Sequence, residues 1–574
     1  MENQDIADIF RETASLLELK GDNPFRIRAY LTACRNIESL PVSLKSLYSS
    51  GKLESLPGIG KDLSSKIKEI IDTGRLKKCE ELKKSVPLGL VKMLDIPGLG
   101  PKTIRLIYEE LKISDIDALE KAAFSGRLKE LPKIKDKTEE NIIKGIKIFR
   151  SSSKRKTLLQ AEEVSVLFMN RLKRIKGVTR VETAGSLRRR KDTVGDIDIL
   201  AVSSSPEKVM DRFVSFKEVK DVQSKGKTKS SVMSQDGVQV DLRVVDKDSF
   251  GSALMYFTGS KNFNISLRRY ARKRGYKINE YGVFKIEGSE ELKVSGKEEK
   301  DIFSLFKMDY IPPVLREDRG EIDLALNHSL PDLVEVGDIK GDLHVHSNYS
   351  DGANSILDMA LAAQKKGYAY LGVCDHSQGL KVAKGLNPER VFKKIEEIKK
   401  LNKKLKGIRV LTGTEVDILS DGSLDYSDDL LKEFDIVVAS IHSGFKQPED
   451  KITKRILSAV KNRYVNIIGH PTGRLFGVRS AYEIDLDLVL KACSDYNAAL
   501  EINAYPQRLD LNDINCLKAK ERGIKLSVNT DSHRVEHLDF MRFGVDTAQR
   551  GHLEKEDLIN TLNFEELIKW AGRE

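Results

Sequence analysis

The sequence predicts a multidomain protein of mixed α+β and α/β class. Three observations predict it: two Pro-Gly-x-Gly turns near the start, acidic strands in the middle, and seven short apolar runs that alternate with helical stretches after residue 340. At 574 residues the chain is long enough for roughly three to five domains. We expect helical domains first, a mixed sheet next and a βα barrel last.

Charge is distributed unevenly along the chain. Residues 1–310 carry 61 Lys and Arg against 45 Asp and Glu, whereas residues 311–574 carry 37 against 42. This basic front predicts contact with a polyanion such as DNA. No apolar run approaches the roughly 20 residues that span a bilayer, and no signal pattern opens the chain. Because the five cysteines form no regular framework, we expect a cytoplasmic protein without a membrane partner.

Two glycine turns stand forty residues apart in the basic front. LPGIGK (56–61) and IPGLGPK (96–102) each precede a helical pattern. Such turns let glycines take positive φ and place backbone N–H groups beside an anion at a helix N-terminus. A single Pro-Gly turn often only joins helices, but two with matching lysines favour a helix-hairpin-helix grip on the DNA backbone. LPKIKDKT (131–138) is a candidate third, degenerate copy. The predicted DNA-binding residues of the turns are Gly58, Gly60, Lys61, Gly98, Gly100 and Lys102.

The middle of the chain contains two predicted strands that carry acids. DIDILAV (196–202) alternates with a period of two, which puts Asp196 and Asp198 on one face. VQVDLRVV (238–245) predicts a second strand and supplies a third carboxylate, Asp241. Three convergent carboxylates can hold two Mg²⁺ ions between a nucleotide's phosphates and an attacking hydroxyl. The alternative, an edge strand with solvated acids, does not explain Asp241.

A turn rich in hydrogen-bond donors precedes the first acidic strand. From Gly185 onward it offers backbone N–H groups, the hydroxyl of Ser186 and the guanidinium groups of Arg188 and Arg189. These are the groups that bind a triphosphate. We therefore expect a nucleotide phosphate site next to the carboxylates.

These motifs, with NPFRIRAY (23–30) and YFTGSKNFN (256–264), resemble the family X DNA polymerases in order and spacing. The resemblance implies a nucleotidyltransferase palm and a thumb, with Asp196, Asp198 and Asp241 binding the catalytic Mg²⁺ or Mn²⁺ ions. It also implies a dNTP pocket that is formed by Gly185, Ser186, Arg189, Arg155, Tyr256, Phe257, Gly259, Lys261 and Asn264. Lys261 departs from the acidic residue of vertebrate members, so nucleotide affinity and metal preference are expected to differ.

The resemblance extends to DNA contacts in the front half. Arg268 matches a template-strand contact, and Lys66 matches the lysine that forms a Schiff base with 5′-deoxyribose phosphate in repair members. The family's neighbouring helper lysine is Asp62 here, so the lyase role and that of an ordinary surface lysine both stay open. Further residues expected in a 5′-phosphate pocket are Arg26, Tyr30 and Lys78.

The last third predicts a barrel with metal ligands at the strand ends. Its apolar runs are DLHVH, YLGVC, IRVLTG, DIVVASI, VNIIG, AALEIN and IKLSV. Strands that alternate with helices indicate a (βα) barrel, whose chemistry lies where strands end. Six of the chain's nine histidines follow this pattern, which suits a Zn²⁺, Mn²⁺ or Fe²⁺ cluster. The predicted ligands are His344, His346, Asp351, His376, Glu415, His442, His470, Asp531 and His533.

The motifs DLHVHS, CDHS, TEVD, SIHSG, GHPTG and NTDSH resemble the PHP phosphoesterase domain, a distorted (β/α)7 barrel. All nine of its ligand positions are filled here. The resemblance implies a cluster of up to three ions that activates water against phosphoesters, with 3′–5′ exonuclease and abasic-site endonuclease or 3′-phosphodiesterase activity. Arg474 and Lys384 are expected near the substrate phosphate.

Taken over the whole chain, the resemblance implies a monomeric gap-filling polymerase of base-excision repair that uses dNTPs and gapped, nicked or primer-template DNA. An end-processing nuclease with weak polymerase activity is the alternative. Intact ligand sets disfavour an inactive scaffold, and the hairpins disfavour a small-molecule phosphatase. The expected domains are an 8-kDa-like helical domain over 1–85, a fingers-like domain over 86–150, a palm over 151–248, a thumb over 249–315, a linker over 316–338 and a PHP domain over 339–574.

Overall fold

The computed structural model divides the chain into two compact units, Met1–Lys154 and Arg155–Glu574. It describes residues 3–38, 44–49, 51, 53–56, 59–94, 96, 99–132, 134–152 and 155–572. Each unit has its own buried core.

The first unit is helical in the part that the structure describes. Apolar side chains such as Phe10, Ile67 and Ile104 are fully buried in one core, as expected for amphipathic helices that pack together. The helices are α1 Asn3–Lys20, α2 Pro24–Glu38, α3 Leu44–Ser49, α4 Lys61–Thr73, α5 Lys77–Ser85, α6 Leu88–Met93, α7 Pro101–Leu111, α8 Ile116–Phe124 and α9 Asp136–Ser152, with 3₁₀ turns at Leu53–Ser55 and Arg127–Glu130.

Three turns in this unit share one hydrogen-bond pattern. The N–H of Ile59 donates to the carbonyl of Leu56, and equivalent bonds join Leu99 to Ile96 and Ile134 to Leu131. A helix follows each turn within two residues. The degenerate copy over 131–138 therefore shares this hydrogen bond, and the helix after it, with the two glycine hairpins.

A five-stranded sheet forms the predicted palm in the second unit. Its order is β2-β4-β7-β6-β5, with β4 and β7 parallel and the other neighbours antiparallel. The two predicted acidic strands are β4 and β7. The elements are β1 Lys156–Thr157, α10 Leu158–Lys173, β2 Val178–Thr183, α11 Gly185–Arg188, β3 Thr193–Val194, β4 Asp196–Ser203, α12 Pro206–Val214, β5 Val219–Lys225, β6 Lys229–Ser234 and β7 Gln239–Val245.

The predicted thumb follows as helices and a small antiparallel sheet, β10-β9-β8. Its elements are a 3₁₀ turn at Lys247–Ser249, α13 Phe250–Thr258, α14 Lys261–Arg272, β8 Tyr276–Asn279, β9 Gly282–Glu287, β10 Glu290–Ser295, α15 Glu299–Leu305 and a 3₁₀ turn at Pro313–Leu315.

The segment 316–338, the expected linker, is packed and partly helical. It contains α16 Glu321–Leu326 and a 3₁₀ turn at Val336–Asp338. The guanidinium group of Arg316 is fully buried and bound to the carboxylate of Glu299. Buried ion pairs hold this polar segment, and hydrophobic periodicity does not register such pairs.

The C-terminal part is a nearly closed barrel of seven parallel strands, as predicted. The strands follow one another in chain order, and a bridge between Val345 and Ser532 brings the last beside the first. All seven apolar runs form strands, which are β11 Gly341–Val345, β12 Tyr370–Val373, β13 Arg409–Asp417, β14 Ile436–Ser440, β15 Ile467–Ile468, β16 Ala499–Asn503 and β17 Leu526–Asn529. The carboxyl ends of parallel barrel strands meet at one rim.

Helices surround these strands. They are α17 Ile356–Lys365, α18 Pro388–Asn402, α19 Asp428–Leu431, α20 Glu449–Val460, α21 Leu486–Tyr496, α22 Asp513–Glu521, α23 Met541–Arg550 and α24 Phe564–Trp570, with 3₁₀ turns at Lys381–Ala383, Val535–Phe540, Lys555–Asp557 and Ile559–Thr561. Over the described residues, we find no helix with the length and apolar character needed to cross a bilayer.

The palm and the barrel share a core within the second unit. Leu509 and Phe543 of the barrel are buried in the palm's hydrophobic cluster, and Phe476 packs against it. Ion pairs surround this contact, such as that between Arg474 Nη1 and Asp192 Oδ2 at 3.0 Å.

Candidate active sites

The first candidate site lies where β4 and β7 run side by side in the palm. Asp198 and Asp241 are direct partners in the register of these parallel strands, and Asp196 is two residues from Asp198 on β4. Gln239 Nε2 donates to Asp241 Oδ1 at 2.9 Å, and Lys229 Nζ lies 3.8 Å from Asp241 Oδ2. The strand register thus brings the three predicted carboxylates together.

Crowding of acids perturbs their protonation. Burial, followed by the charges of Asp196 and Asp241, raises the pKa of Asp198 to about 7. Partial desolvation and the charge of Asp241 also raise the pKa of Asp196. Like charges this close favour a proton or a bound cation, so the carboxylates fit divalent metal ions.

The predicted phosphate turn lies directly against these acids. Gly185 has φ of +61°, and a Cβ atom added there would lie 2.2 Å from Asp198 Oδ2. The N–H of Ala184 donates to the carbonyl of Asp198 at 2.8 Å. A glycine is therefore required where the turn meets the acidic strand.

A cavity of about 540 Å³ opens beside the turn and the carboxylates. It is lined by every residue that the resemblance assigned to the dNTP pocket and by Arg268. Asn264 Nδ2 donates to the carbonyl of Tyr256 at 2.7 Å, while its buried Oδ1 has no hydrogen-bond partner among the described residues. The lining residues are Arg155, Gly185, Ser186, Arg189, Lys191, Gly195, Asp196, Asp198, Tyr256, Phe257, Thr258, Gly259, Lys261, Asn264 and Arg268.

The adjacent arginines of the turn have different surroundings. Arg188 binds both carboxylate oxygens of Glu299, at 2.9 and 2.8 Å, so its guanidinium group is not the triphosphate fork that we expected. Arg189 donates through Nε to Glu317 at 3.0 Å and through Nη1 to the carbonyl of Thr258, which leaves Nη2 for a phosphate. Sequence reasoning also missed Lys191, which lines the cavity although it belongs to the same basic run.

The hairpins of the first unit present open helix N-termini. Gly60 and Gly100 are the N-cap residues of α4 and α7, and neither cap uses a side-chain hydrogen bond. Their φ angles, −82° and −84°, differ from the expected positive values because N-caps adopt extended backbone. Among the described residues, none has an atom within 4 Å of a Cβ built at either glycine. Gly58 and Gly98 lie outside the described residues.

The lysines of these turns, Lys61 and Lys102, begin the two helices. The side chain of Lys102 is 87% exposed, and its Nζ is 3.7 Å from Glu18 Oε1. Lysines at uncapped helix N-termini are suited to binding a phosphate.

Lys66 lies beside Tyr30, which is buried in the core of the first unit, and its own side chain is only partly exposed. Its Nζ contacts Asp62 Oδ2 and lies 5.4 Å from the centre of the Tyr30 ring. Burial lowers the pKa of Lys66, but Asp62 and Tyr30 outweigh that effect and raise it overall. The other predicted cations also face acids, since Arg26 pairs with Asp22 at 3.1 Å and Lys78 lies 3.9 Å from Glu81.

The second candidate site is the cluster at the barrel rim. Glu415, which is almost fully buried, lies at its centre. Its Oε1 is 3.0 Å from His470 Nε2 and 3.3 Å from His442 Nε2, and its Oε2 is 3.5 Å from His344 Nε2. Asp531 Oδ1 is 3.1 Å from His346 Nε2. Burial raises the pKa of Glu415, but the neighbouring imidazoles hold it well below its usual range.

All nine predicted ligands converge at this rim. Three groups of them have ligand atoms within 4.8 Å of one another, and His470 adjoins them through Glu415. In the described part of the chain, groups this tight occur in the barrel and include no palm carboxylate. The groups are His346, Asp351, His376 and His533; His344, His346 and Asp531; and His376, Glu415 and His442.

The donor atoms of the cluster fit divalent metal ions. Several imidazole nitrogens are buried without a well-directed hydrogen bond to any described residue, although buried polar atoms are normally bonded. Imidazole and carboxylate are the ligands that Zn²⁺, Mn²⁺ and Fe²⁺ use. The unbonded nitrogens are His344 Nε2, His346 Nδ1 and Nε2, His376 Nδ1 and His470 Nδ1.

Two acids orient the histidines and were missed by sequence reasoning. Glu501 Oε1 lies 2.7 Å from His344 Nδ1, and Asp417 Oδ1 lies 2.5 Å from His442 Nδ1. Asn529 Nδ2 also donates to Glu501, at 2.9 Å. Such carboxylates fix the tautomer of a metal-binding histidine. Glu501 is the middle residue of β16, and an acid inside the apolar run AALEIN was the available signal.

The two basic residues expected at the substrate phosphate, Arg474 and Lys384, have other surroundings. Arg474 binds Asp192 through Nη1 and the carbonyls of Arg508 and Leu509 through Nε and Nη2. Lys384 is exposed.

Comparisons with known proteins match each region. The chain matches a helix-hairpin-helix domain over residues 1–76, a SAM-like helix-hairpin-helix tandem over 90–147, a DNA polymerase beta thumb over 253–317 and a PHP domain over 342–505. It is 41% identical over 575 residues to "DNA polymerase/3′-5′ exonuclease PolX" of Bacillus subtilis (strain 168), covering all of both chains. It is also 36% identical over 203 residues to a probable phosphatase of Thermoanaerobacter sp. (strain X514). This match covers 33% of the present chain and 78% of the relative.

Tandem hairpin domains, a palm with a beta-type thumb and a histidine-rich barrel define a polymerase-like chain with an attached PHP domain. The match to the B. subtilis relative over the full length of both chains narrows this class to one family. The chain belongs to the family X DNA polymerases that carry a C-terminal PHP domain.

Proposed function

We propose that this chain fills short DNA gaps from dNTPs in the palm and hydrolyses DNA 3′ ends in the barrel, as a base-excision repair enzyme. The observation that carries the polymerase half is the cavity beside Asp196 and Asp198, which every expected dNTP contact lines. The B. subtilis relative's name supports both activities.

In nucleotide addition, the primer 3′ oxygen attacks the α-phosphorus of the dNTP, and the bond to the leaving pyrophosphate breaks. Asp196, Asp198 and Asp241 would hold two Mg²⁺ or Mn²⁺ ions, which neutralise the charge that develops on the phosphates. The turn at Gly185 and Ser186 offers amides and a hydroxyl to the triphosphate.

The arginines and the polar groups of the cavity position the nucleotide. Arg155 is fixed through Nε to Thr193 Oγ1 at 2.8 Å, at the edge of the cavity. Arg268 donates through Nε to the carbonyl of Asn264 at 3.1 Å. Arg155 would contact the triphosphate and Arg268 the template strand.

In the barrel, water adds to the phosphorus of the terminal phosphodiester and the bond to the 3′ oxygen of the primer breaks. That oxygen takes a proton, and a nucleoside monophosphate leaves. The nine residues around Glu415 would hold up to three Mn²⁺, Zn²⁺ or Fe²⁺ ions, which activate water. Glu501 and Asp417 orient the ligands His344 and His442.

A lyase reaction at Lys66 is less well supported. Schiff-base formation needs a neutral amine, whereas Asp62 and Tyr30 stabilise the charged one. We expect borohydride to trap little covalent complex between the protein and a 5′-deoxyribose phosphate end.

The test of the main proposal uses 5′-labelled DNA with a one-nucleotide gap, with and without dNTPs, in Mg²⁺ or Mn²⁺. We expect extension by one nucleotide with dNTPs and shortening without them. Rapid shortening with only trace extension would favour an end-processing nuclease instead. No change to the DNA would contradict both.

A further inference from the structure

The loop after β16 brings a further arginine to the metal cluster. Arg508 Nε lies 3.5 Å from Asp531 Oδ2, and the Arg508 side chain is only 16% exposed. Asp531 is one of the nine predicted ligands, so this guanidinium group lies at the edge of the site. No sequence motif had marked it.

One nitrogen of this arginine is unused. Arg508 Nη1 is buried and makes no hydrogen bond to any residue that the structure describes. Leaving a charged donor unpaired in the interior is energetically unfavourable. A hydrogen-bond donor in this position is suited to binding an acceptor atom of a substrate at the rim of the site.

The loop holds this arginine in a defined position. The N–H of Arg508 donates to the carbonyl of Tyr505 at 2.7 Å, and Arg474 Nε donates to the carbonyl of Arg508 at 2.7 Å. Arg474 is in turn fixed by Asp192 of the palm. The unused nitrogen therefore belongs to an anchored residue.

Charge on this side of the site favours an anion. Arg479 stacks on the ring of Phe445 at 3.6 Å, and burial and the nearby charge of Arg508 lower its pKa. The nine ligands include three carboxylates, fewer charges than three divalent ions would bring. Arg508 and Arg479 therefore add positive charge at the edge of a site that metal ions would also fill, which favours an anionic substrate there.

We propose that Arg508 is a substrate-binding residue whose Nη1 donates to a non-bridging oxygen of the phosphodiester that the barrel hydrolyses. This assignment rests on the proposed nuclease function. The pentavalent transition state carries one more negative charge than the diester, so a fixed guanidinium group stabilises it more than the ground state. Arg474 is a positioning residue that holds the Arg508 loop.

The experiment compares Arg508→Ala and Arg508→Lys with wild type. Arg522→Ala is the matched control, because Arg522 is an exposed arginine of the same domain that pairs with Asp487. On a 5′-labelled primer-template with Mn²⁺ and no dNTPs, we expect kcat/KM to fall about 100-fold or more in Arg508→Ala. Arg508→Lys should recover part of it, and the control should match wild type.

Two further measurements do not depend on turnover. Elemental analysis should find equal metal content in wild type and Arg508→Ala. Titration of the Mn²⁺-loaded protein with thymidine 5′-monophosphate should show about tenfold weaker binding in Arg508→Ala. This titration is made in an Arg189→Ala background, so that the dNTP cavity contributes little.

Hydrolysis by Arg508→Ala within threefold of wild type would overturn the assignment. So would a loss of activity that matches a loss of metal, because Arg508 would then merely support Asp531. If the wild-type protein does not hydrolyse DNA, the proposed nuclease function fails. The monophosphate titration then decides on Arg508 alone, and unchanged affinity rejects it.

Discussion

In the palm, Asp196, Asp198 and Asp241 face one another, and burial and repulsion raise the pKa of Asp198 to about 7. In the barrel, Glu415 and Asp531 face histidines that hold their pKa values well below the usual range despite burial. The palm therefore keeps an uncompensated negative charge for its ions and nucleotide. The barrel compensates its acids internally, and its ligands are oriented by further carboxylates.

The comparison shows that two candidate metal sites in one chain can differ in how the charge of their acids is balanced before any ion binds. Under the proposed function, metal ions and the nucleotide would together neutralise the acids of the palm. The barrel is assembled by its own hydrogen bonds before substrate arrives. Mutations and pH should separate the two sites accordingly.

The largest expected effect is on nucleotide addition. Asp198→Asn, like Asp196→Ala or Asp198→Ala, should reduce gap filling by about a thousandfold or more, because the site loses a ligand for the charge-neutralising ions. Single-turnover extension of gapped DNA measures this. Asp221→Asn, on the exposed strand β5, is the control and should extend normally. More than trace extension by the Asp198 variants would reject the palm assignment.

Next in size is the selective loss of hydrolysis. His344→Ala or Asp531→Ala should eliminate 3′–5′ degradation and abasic-site cleavage while gap filling survives, because the ligands lie in the barrel. Degradation of a 5′-labelled primer without dNTPs measures this, and Mn²⁺ should stimulate it more than Mg²⁺ does. His328→Ala serves as control, because His328 is 65% exposed and pairs with Asp309. Continued shortening of the primer by the His344 variant would place the nuclease elsewhere.

A smaller effect tests whether the barrel is preassembled. Glu501→Gln keeps the side-chain shape but removes the charge beside His344, so metal affinity and hydrolysis should fall about 10–100-fold. Metal titration followed by primer degradation measures both. If the two are unchanged, the orienting hydrogen bond does not matter and the contrast with the palm weakens.

Stability should reveal the uncompensated charge in the palm. The pKa of Asp198 is higher in the folded chain than the roughly 3.9 of an unfolded one. Ionisation therefore opposes folding, and this destabilisation grows as pH rises from about 4 and is complete above about 7. Metal-free Asp198→Asn should be more stable than wild type by about 1 kcal/mol at pH 8, after allowance for solvent screening, with the gain shrinking toward pH 5.

Thermal unfolding in a chelator at the two pH values measures this gain. The matched Asp221→Asn variant should show none. An equal gain at both pH values would mean that the effect is not the charge of Asp198.

The smallest effect concerns the hairpins. Neutralising Lys61 or Lys102 should lower the log–log salt dependence of gap binding by about one unit each, because each would lose one phosphate contact. Binding titrations from low to moderate salt measure this, with Lys112→Ala, which lies past the end of α7, as control. An unchanged slope would locate the DNA contact elsewhere.

Local patterns predicted much of the molecule. The seven barrel strands and the acidic strands β4 and β7 follow from periodicity, and the convergence of the nine candidate ligands follows from the meeting of parallel strand ends at one rim. The sequence could not show that Arg188 is paired with an acid while Arg189 lines the cavity. The acid that binds Arg188 is Glu299, which lies 111 residues further along the chain. The ion pair of Arg316 and the role of Glu501 likewise depend on distant partners.

Barrel side chains complete the palm's hydrophobic core, and this has an evolutionary consequence. Leu509 and Phe543 are buried there, and Arg550 binds Glu317, which holds Arg189 of the dNTP cavity. A lineage that no longer needed the nuclease could discard its metal ligands one by one, yet selection for DNA synthesis would still preserve the barrel's outer surface. The barrel would persist as a scaffold, and a gene shortened at residue 338 would encode a polymerase with an exposed core.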